Sequence, residues 1–451
     1  MRRRIAARGR SYQTNIPRRS DLRSRLPRPI AARGRSYGFR ARLSIQADPL
    51  TNLSTDQVCR TSGLERKLRR MVNPPQTLRA AAPLRVLTVV SGDLWAGAEG
   101  QVYQLLRAAR HEPGVELRVA VLNPGMLADR LAAEGIAVTV LDESRLGVRA
   151  LAGEIRSLAW EWRPAVVHTH RRKEHFLGAL AARASGAGLV ATIHGRSELP
   201  KGWNGLRQAV LRNMERTLLA HAYRWLVAVS DELTEYLPGA HERKIVIPNS
   251  VDVAAVREAA MASPAPALND GVIHIGFLGR LVPVKQVQHI LAMMYVLESA
   301  QPGRWVLHII GDGPLRQELE RKAAQLGLGR VVTFHGFLPD PMPLLAQMDF
   351  LLFASAHEGL PMTALEALAL GVPIVSPPIG SLERLIEEAG AGAVSRSAQP
   401  GDLADAVMNM RLAPRGGSRL RCALLPERYR IENGVQRTVA LWQEVARINP
   451  G

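Results

Sequence analysis

The sequence predicts an α/β protein built from two doubly wound parallel sheets, on three observations. From Leu84 onward, short apolar runs alternate with amphipathic stretches, as in a parallel sheet with covering helices. The alternation restarts after an Ala- and Pro-rich segment, MASPAPALND at 261–270. The runs themselves are β-branched or Leu-rich throughout, as expected for strands covered on both faces. At 451 residues the chain also exceeds the usual size of one domain.

In the first half RVLTVVSG is a strand, followed by a loop at Asp93 to Gly100 and a helix from about Gln101. ELRVAVLN, IAVTVLD, AVVHTH, LVATIHG and WLVAVS follow as strands, and KIVIPNSVD closes the half. The second half repeats the style with VIHIGFLGR, RWVLHIIGDG, VVTFHGF, FLLFAS and VPIVSPP. After Pro426 comes a helix whose Val435, Val439, Leu441, Trp442 and Val445 share roughly one apolar face. The expected division is an Arg-rich leader (1–80), a first Rossmann-like domain (83–262), a second (270–430) and a C-terminal helix (431–451).

The formal net charge of +19 is concentrated in the leader. Residues 1–70 hold 18 Arg and 1 Lys against 4 acids, while the remainder holds 40 basic and 36 acidic side chains. The leader lacks helical or strand periodicity and is expected to be disordered. The octapeptide IAARGRSY occurs in it twice, at Ile5–Tyr12 and Ile30–Tyr37. A nucleic-acid- or lipid-binding arm and an organelle presequence are two readings. The favoured one is upstream sequence read as protein, with translation starting near Met71. No run is long enough to span a membrane. Cys59 and Cys422 provide neither a disulfide framework nor a cysteine zinc site.

Ligands of doubly wound sheets sit beyond the carboxyl ends of the strands. There, FLLFAS runs into Ala356, His357, Glu358, Gly359, Leu360 and Pro361, with Pro361 at the start of a helix that carries Glu366. Free N–H groups at that helix end make an anion pocket. Eight positions of helix span roughly 12 Å, too far for Glu358 and Glu366 to grip one metal ion but suited to opposite ends of an elongated ligand. Isolated glutamates are ordinarily surface acids. These two are accompanied by Gly279, Arg280 and Lys285 after the first strand of the second half, and two cations beside a helix N-terminus suit a diphosphate. Gly311-Asp312-Gly313-Pro314 is, by itself, only a turn signal.

Together these residues resemble the retaining glycosyltransferases of family four, which have the GT-B fold. The matching pieces are HEGLPMTALE, GRLVPVK, IIGDGPL, and FHGFLPD followed by LLAQMDFLLFAS, with AGAE (96–99), HTH (168–170), TIHG (192–195), VAVS (227–230) and IPNSVD (247–252) in the first half. They cover about residues 84–445. The resemblance implies that Glu366 binds the ribose of a nucleotide-sugar donor and Glu358 the sugar hydroxyls. Gly359 and Leu360 would lie near the diphosphate, which Arg280 and Lys285 neutralise, with Gly279 and Gly311 lining the same donor site. Phe337 and Leu338 would meet the base, Gly97 would face the phosphates, and His194 would reach the donor sugar across the cleft. It further implies no cofactor beyond the co-substrate, a UDP-sugar ahead of a GDP-sugar, and no metal. The C-terminal helix would pack back on the first domain. The acceptor would be a glycan or lipid-linked glycan of cell-envelope or exopolysaccharide synthesis, and the protein cytoplasmic, with peripheral contact at the inner membrane face as its one membrane role. Ala96, Ser250 and Gln286 stand where the family commonly has glycine.

His168, His170 and His175 in HTHRRKEH raise a metal site. His168 and His170 are expected on opposite faces of their strand, which argues against it. His170, Arg171, Arg172 and Lys173 instead suggest a basic cleft rim for an anionic or lipid-phosphate acceptor, or a solvated loop. Two rival functions remain: a GT-B sugar-nucleotide epimerase, disfavoured by the EGLP-to-Glu segment, and an Arg-rich nucleic-acid-binding protein, which would depend on the leader alone.

Overall fold

The computed structural model describes residues 82–195, 203–263, 268–269, 271–410 and 423–448, the side chains of 203–206 excepted. The leader, both cysteines and linker residues 264–267 and 270 lie outside the described residues. The first sheet comprises β1 (Leu84–Val90), β2 (Val115–Val121), β3 (Ala137–Val140), β4 (Val166–Thr169), β5 (Gly188–Ile193), β6 (Trp225–Ala228) and β7 (Lys244–Val246). It is parallel throughout, in the order β3-β2-β1-β4-β5-β6-β7. Its crossovers carry α1 (Gly97–Ala109), α2 (Met126–Ala133), α3 (Val148–Trp162), α4 (Arg172–Ser185), α5 (Trp203–Ala222) and α6 (Asp231–Tyr236), and α7 (Val253–Ala262) leads out.

The second sheet holds β8 (Ile273–Leu278), β9 (Trp305–Ile310), β10 (Val332–Gly336), β11 (Phe350–Leu352), β12 (Ile374–Ser376) and β13 (Gly392–Val394), ordered β10-β9-β8-β11-β12-β13 and again parallel. Around it lie α8 (Val287–Ala300), α9 (Arg316–Gln325), α10 (Met342–Leu345), α11 (Met362–Ala369), α12 (Gly380–Ala389) and α13 (Pro400–Asn409), with α14 (Ile431–Ile448) last. Strand β13 has no counterpart among the expected strands. It is three residues, GAV, and its Gly392 has φ 133°, so no apolar run announces it.

In each sheet the order reverses beside the first strand, between β1 and β4 and between β8 and β11. Such reversals open a crevice at the carboxyl ends of the strands. Both sheets lie in one compact unit. A single apolar cluster joins Leu87 and Val89 of β1 to Leu351 of β11 and Leu365 and Leu368 of α11. Arg257 donates to the Ala369 carbonyl at 3.2 Å, and Arg384 of α12 pairs with Asp231 of α6. No helix among the described residues is long and apolar enough to cross a membrane.

Helix α14 follows the second sheet in sequence but lies on the first. Ile431, Val435, Val439, Trp442 and Val445 pack with Val86 and Val90 of β1, Val102 of α1 and Val190 of β5. Trp442 is fully buried, and its indole N–H donates to His168 Nδ1 at 3.3 Å. The crossing segment is tied by Val251 N–H to the Tyr429 carbonyl and Ile431 N–H to the Val251 carbonyl, both 3.0 Å.

The three glycine replacements differ in consequence. Ala96 is extended and caps α1. Ser250 receives no positive φ; its N–H donates to Gln101 Oε1, and its Oγ fills space beside Gly434 that a Cβ there would enter at 2.1 Å. Gln286 adopts φ 48°, ψ 39°, a left-handed conformation that explains why glycine suits this position.

Trp442→Ala should destabilise the protein by about 3–5 kcal/mol, because it empties a fully buried aromatic site. Trp442→Phe should cost less but still leave His168 without its donor. Denaturant unfolding of both variants checks this; a Trp442→Ala loss below about 1 kcal/mol would contradict the packing.

Candidate active site

At the carboxyl end of β8 the chain passes through Gly279 and Arg280 into a 3-10 turn, Pro283–Lys285. This segment is zipped to the loop after β9: Gly279 N–H donates to the Ile310 carbonyl at 3.0 Å and Leu281 N–H to the Asp312 carbonyl at 2.9 Å. The approach is close enough to require glycine. A Cβ on Gly311, whose φ is 131°, would lie 2.0 Å from the Gly279 carbonyl oxygen, and one on Gly313 2.5 Å from that of Leu281.

The neighbouring loop after β11 brings Glu358 to Lys285. The ammonium donates to Glu358 Oε1 at 2.5 Å, and Ser355 Oγ donates to the same oxygen at 2.6 Å. Ala356 N–H, donating to the Val284 carbonyl at 2.8 Å, locks the two loops together. Arg280 is exposed, with no ion pair among the described residues. The region therefore holds one cation balanced by a carboxylate and one unbalanced.

Pro361 is the N-cap of α11, not its first helical residue, so Glu358 lies on the loop off the helix axis. The 12 Å inferred from helical rise does not apply to the pair. Glu366 is partly buried within α11, and its carboxylate has no hydrogen bond or ion pair among the described residues. Burial without compensation raises its pKa to about 7. Beyond edge strand β10, Phe337 is 50% exposed and Leu338 half-buried, so an apolar surface stands two strands from the reversal.

The first sheet's carboxyl edge meets these loops directly. A Cβ on Gly359 would fall 2.1 Å from the His194 carbonyl oxygen, so only glycine fits. Asn249 Nδ2 donates to the Leu360 carbonyl at 2.7 Å, and Gly97, opening α1, faces Met362 of α11. Gly97 and His194 are thus brought together with the Glu358–Leu360 loop.

The histidines correct an expectation. His168 and His170 lie on one face of β4, with ring centroids 4.5 Å apart, because residues two apart on a strand share a face. His170 Nδ1 is 3.1 Å from His194 Nε2, and His168 Nε2 is 2.8 Å from Thr192 Oγ1. Desolvation lowers all three pKa values, to about 3 for His168 and His194 and well below the usual range for His170. Among the described residues no three His, Cys, Asp or Glu side chains are arranged to hold a metal.

The cations of the basic rim are paired. Arg171 pairs with fully buried Glu99 at 2.5 Å, Arg172 with Glu215 at 2.7 Å and Gln208 at 2.8 Å, and Lys173 with Glu143. Each cation thus has a carboxylate partner in the same half, with the Arg171 and Lys173 side chains still 39% and 59% exposed. Glu174, unnoticed in sequence, accepts from Ser91 N–H and Oγ and from His170 N–H, at 2.8, 2.7 and 3.1 Å. Its offset of four from His170 was the available signal.

A family model described as glycosyl transferases group 1 matches residues 262–419, and one described as glycosyltransferase family 4 matches residues 95–255. The chain belongs to the family-four, group 1 glycosyltransferases. It is 29% identical to a 2-deoxystreptamine N-acetyl-D-glucosaminyltransferase of Streptomyces fradiae, over 63% of this chain and 75% of that one. It is 27% identical to the UDP-Gal:alpha-D-GlcNAc-diphosphoundecaprenol alpha-1,3-galactosyltransferase of Escherichia coli, over 49% of this chain and 60% of that one. Its fold resembles that of Anabaena HepE in complex with UDP-glucose, with TM-score 0.61 and 20% identity over 81% of this chain and 97% of that one. The two sheets are those of the GT-B fold.

Glu366 makes a pH-dependent contribution in this glycosyltransferase. Its folded pKa lies above the ordinary value of 4.5, so the folded state retains a proton that the unfolded state releases. The stabilisation is full below about pH 4.5 and lost as pH rises through about 7. Glu366→Gln should remove that slope and stabilise the free protein by up to about 3 kcal/mol at pH 8, with little difference at pH 4.5. Denaturant titrations at both pH values test it; parallel pH profiles for the two proteins would show that Glu366 is not so perturbed.

Proposed function

We propose that the chain transfers a sugar from a nucleotide-sugar donor, a UDP-sugar first, to a hydroxyl of a glycan or lipid-linked glycan, with retention at the anomeric carbon. The observation that carries this reading is the Lys285–Glu358–Ser355 cluster beside exposed Arg280, at the second sheet's reversal and against the His194 backbone. Arg280 can fork onto two diphosphate oxygens, and Lys285 can leave Glu358 to contact a third. Glu358, released from that pair, is then free to accept from sugar hydroxyls. Glu366 takes the ribose, which supplies the hydrogen-bond partner its carboxylate lacks, and exposed Phe337 adjoins the base. UDP-glucose in HepE and the UDP-Gal donor named for the Escherichia coli relative support the choice of nucleotide.

In the reaction the bond from the anomeric carbon to the diphosphate oxygen breaks as the acceptor oxygen bonds to the same face. The acceptor proton passes to the departing phosphate oxygen. Arg280 and Lys285 stabilise the charge that develops there, and no side-chain nucleophile or divalent metal takes part in this reading. The acceptor contacts the first sheet's carboxyl edge, where the cations are already matched by carboxylates, so its recognition rests on hydroxyl groups rather than on net charge.

Lys285→Ala should lower kcat by about a hundredfold. Glu366→Gln should chiefly raise KM for the donor, because a ribose contact is made equally in the ground and transition states. Proton NMR of the product is expected to show the donor's anomeric configuration, and the rate to be unchanged by excess chelator. An inverted product, a trapped glycosyl-enzyme ester, or activity abolished by chelator and restored by manganese would overturn the scheme.

A further inference from the structure

We infer that Arg130 is a positioning residue of the donor site: laid against Trp95 of the first half, it holds the loop that carries Phe337 and Leu338. The inference rests on the reading above in taking those two residues to meet the nucleotide base. Its structural basis is a hydrogen bond between the halves. Arg130, on α2, donates from Nη2 to the Pro339 carbonyl at 3.3 Å. Pro339 directly follows Phe337 and Leu338 in the loop between β10 and α10.

A hydrogen bond from a freely moving surface arginine holds little, because ordering the side chain offsets the gain. Arg130 is ordered beforehand. Its guanidinium carbon lies 4.4 Å from the Trp95 ring centroid and 6.0 Å from that of Tyr103. The two rings meet edge to face, their centroids 5.9 Å apart. Tyr103 is anchored in turn: its hydroxyl donates to Glu134 Oε1 at 2.9 Å, and Glu134 pairs with Arg107 and Arg110, both at 3.2 Å. A guanidinium laid on an aromatic face keeps its N–H edge free to donate. Here that edge meets the Pro339 carbonyl.

The loop has reason to be held from outside at this point. At one end it is pinned by Gly311 N–H, which donates to the Gly336 carbonyl at 2.8 Å. At the other, Leu345 N–H donates to the Pro341 carbonyl at 2.9 Å as α10 begins. Between these pins Phe337 is 50% exposed, and Pro339 and Asp340 are exposed as well. Pro339 and Pro341 lack an N–H, which removes two donors that could tie the loop to its own half. The bond from Arg130 supplies a hold from the other half instead. Recognition of the base in the second half therefore depends on a side chain of the first.

The test combines amide exchange of the ligand-free full chain, calorimetric titration with UDP and GDP, and donor kinetics, for the wild type, Arg130→Ala and Arg130→Lys. In Arg130→Ala the amides of Phe337, Leu338 and Asp340 should exchange about fivefold faster, and UDP should bind about fivefold more weakly, the worth of one exposed hydrogen bond. KM for the donor should rise in step while kcat stays within about twofold, since the base is contacted equally in ground and transition states. Arg130→Lys keeps the charge but not the planar edge, so it should behave like Arg130→Ala. Unchanged exchange in folded Arg130→Ala, or full UDP affinity in Arg130→Lys, would overturn the inference. Faster exchange with unaltered UDP affinity would overturn it too, because the loop would then not serve the base. A wild type that binds neither UDP nor GDP would instead sink the donor reading, and the exchange rates would still show whether Arg130 holds the loop.

Discussion

The structure depends on the contact between two backbone segments that carry no charge: the loop containing Gly359 and the carbonyl of His194. Two parallel sheets each offer a crevice at their carboxyl edge, and a two-substrate site needs those edges opposed. Gly359 allows it, since a Cβ there would lie 2.1 Å from the His194 oxygen. Asn249 reinforces it by donating to the adjacent Leu360 carbonyl. Each contact ends on a backbone carbonyl, so the edges are aligned largely by main-chain geometry, close to the side chains of Lys285 and Glu358. The shared apolar cluster beneath, from Leu87 to Leu368, supplies the burial that keeps the edges together.

The polar groups around that contact fall into two kinds. Several of the first half are paired with one another: Arg171 with Glu99, Arg172 with Glu215, Glu174 with Ser91 and His170. Others, among them His170 Nε2 and His194 Nδ1, are buried with no hydrogen-bond partner among the described residues. On the second half Glu366 has none, Arg280 has no ion pair among the described residues, and Lys285 shares one carboxylate oxygen with Ser355. Groups already saturated by the protein gain little from a ligand, whereas a partly buried, unpaired carboxylate gains a hydrogen bond that folding did not supply.

Much of this was legible in the sequence, for reasons particular to each element. The strands of a sheet covered on both faces are apolar along their whole length, so β1, β8 and β9 stand out at once. Strand β13 does not, because Gly-Ala-Val carries neither length nor hydrophobicity. The motif segments placed Arg280, Lys285, Glu358 and Gly359 at strand ends, and the structure puts them there. The Lys285–Glu358 pair was not visible, since the residues are 73 positions apart and meet only when two crossover loops pack. The carboxylate partners of the HTHRRKEH cations were hidden for a related reason: Glu99, Glu143 and Glu215 are remote in sequence and converge on those cations only in the fold. His168 and His170 needed no tertiary information, because the period of a strand already puts them on one face.

Gln286 shows how local strain and site geometry are linked. It is one of two non-glycine residues with positive φ among the described residues, and it directly follows Lys285. A side chain in the left-handed region costs about 1–2 kcal/mol, and such a conformation persists only where its surroundings over-determine it. Here the surroundings are the 3-10 turn that delivers Lys285 to Glu358 and the start of α8, for which Gln286 is the N-cap. Relaxing Gln286 to an ordinary conformation would redirect the chain between them and withdraw the ammonium from the cluster. The strained backbone and the placement of the cation are therefore two consequences of one turn, held by the packing of α8 against the second sheet.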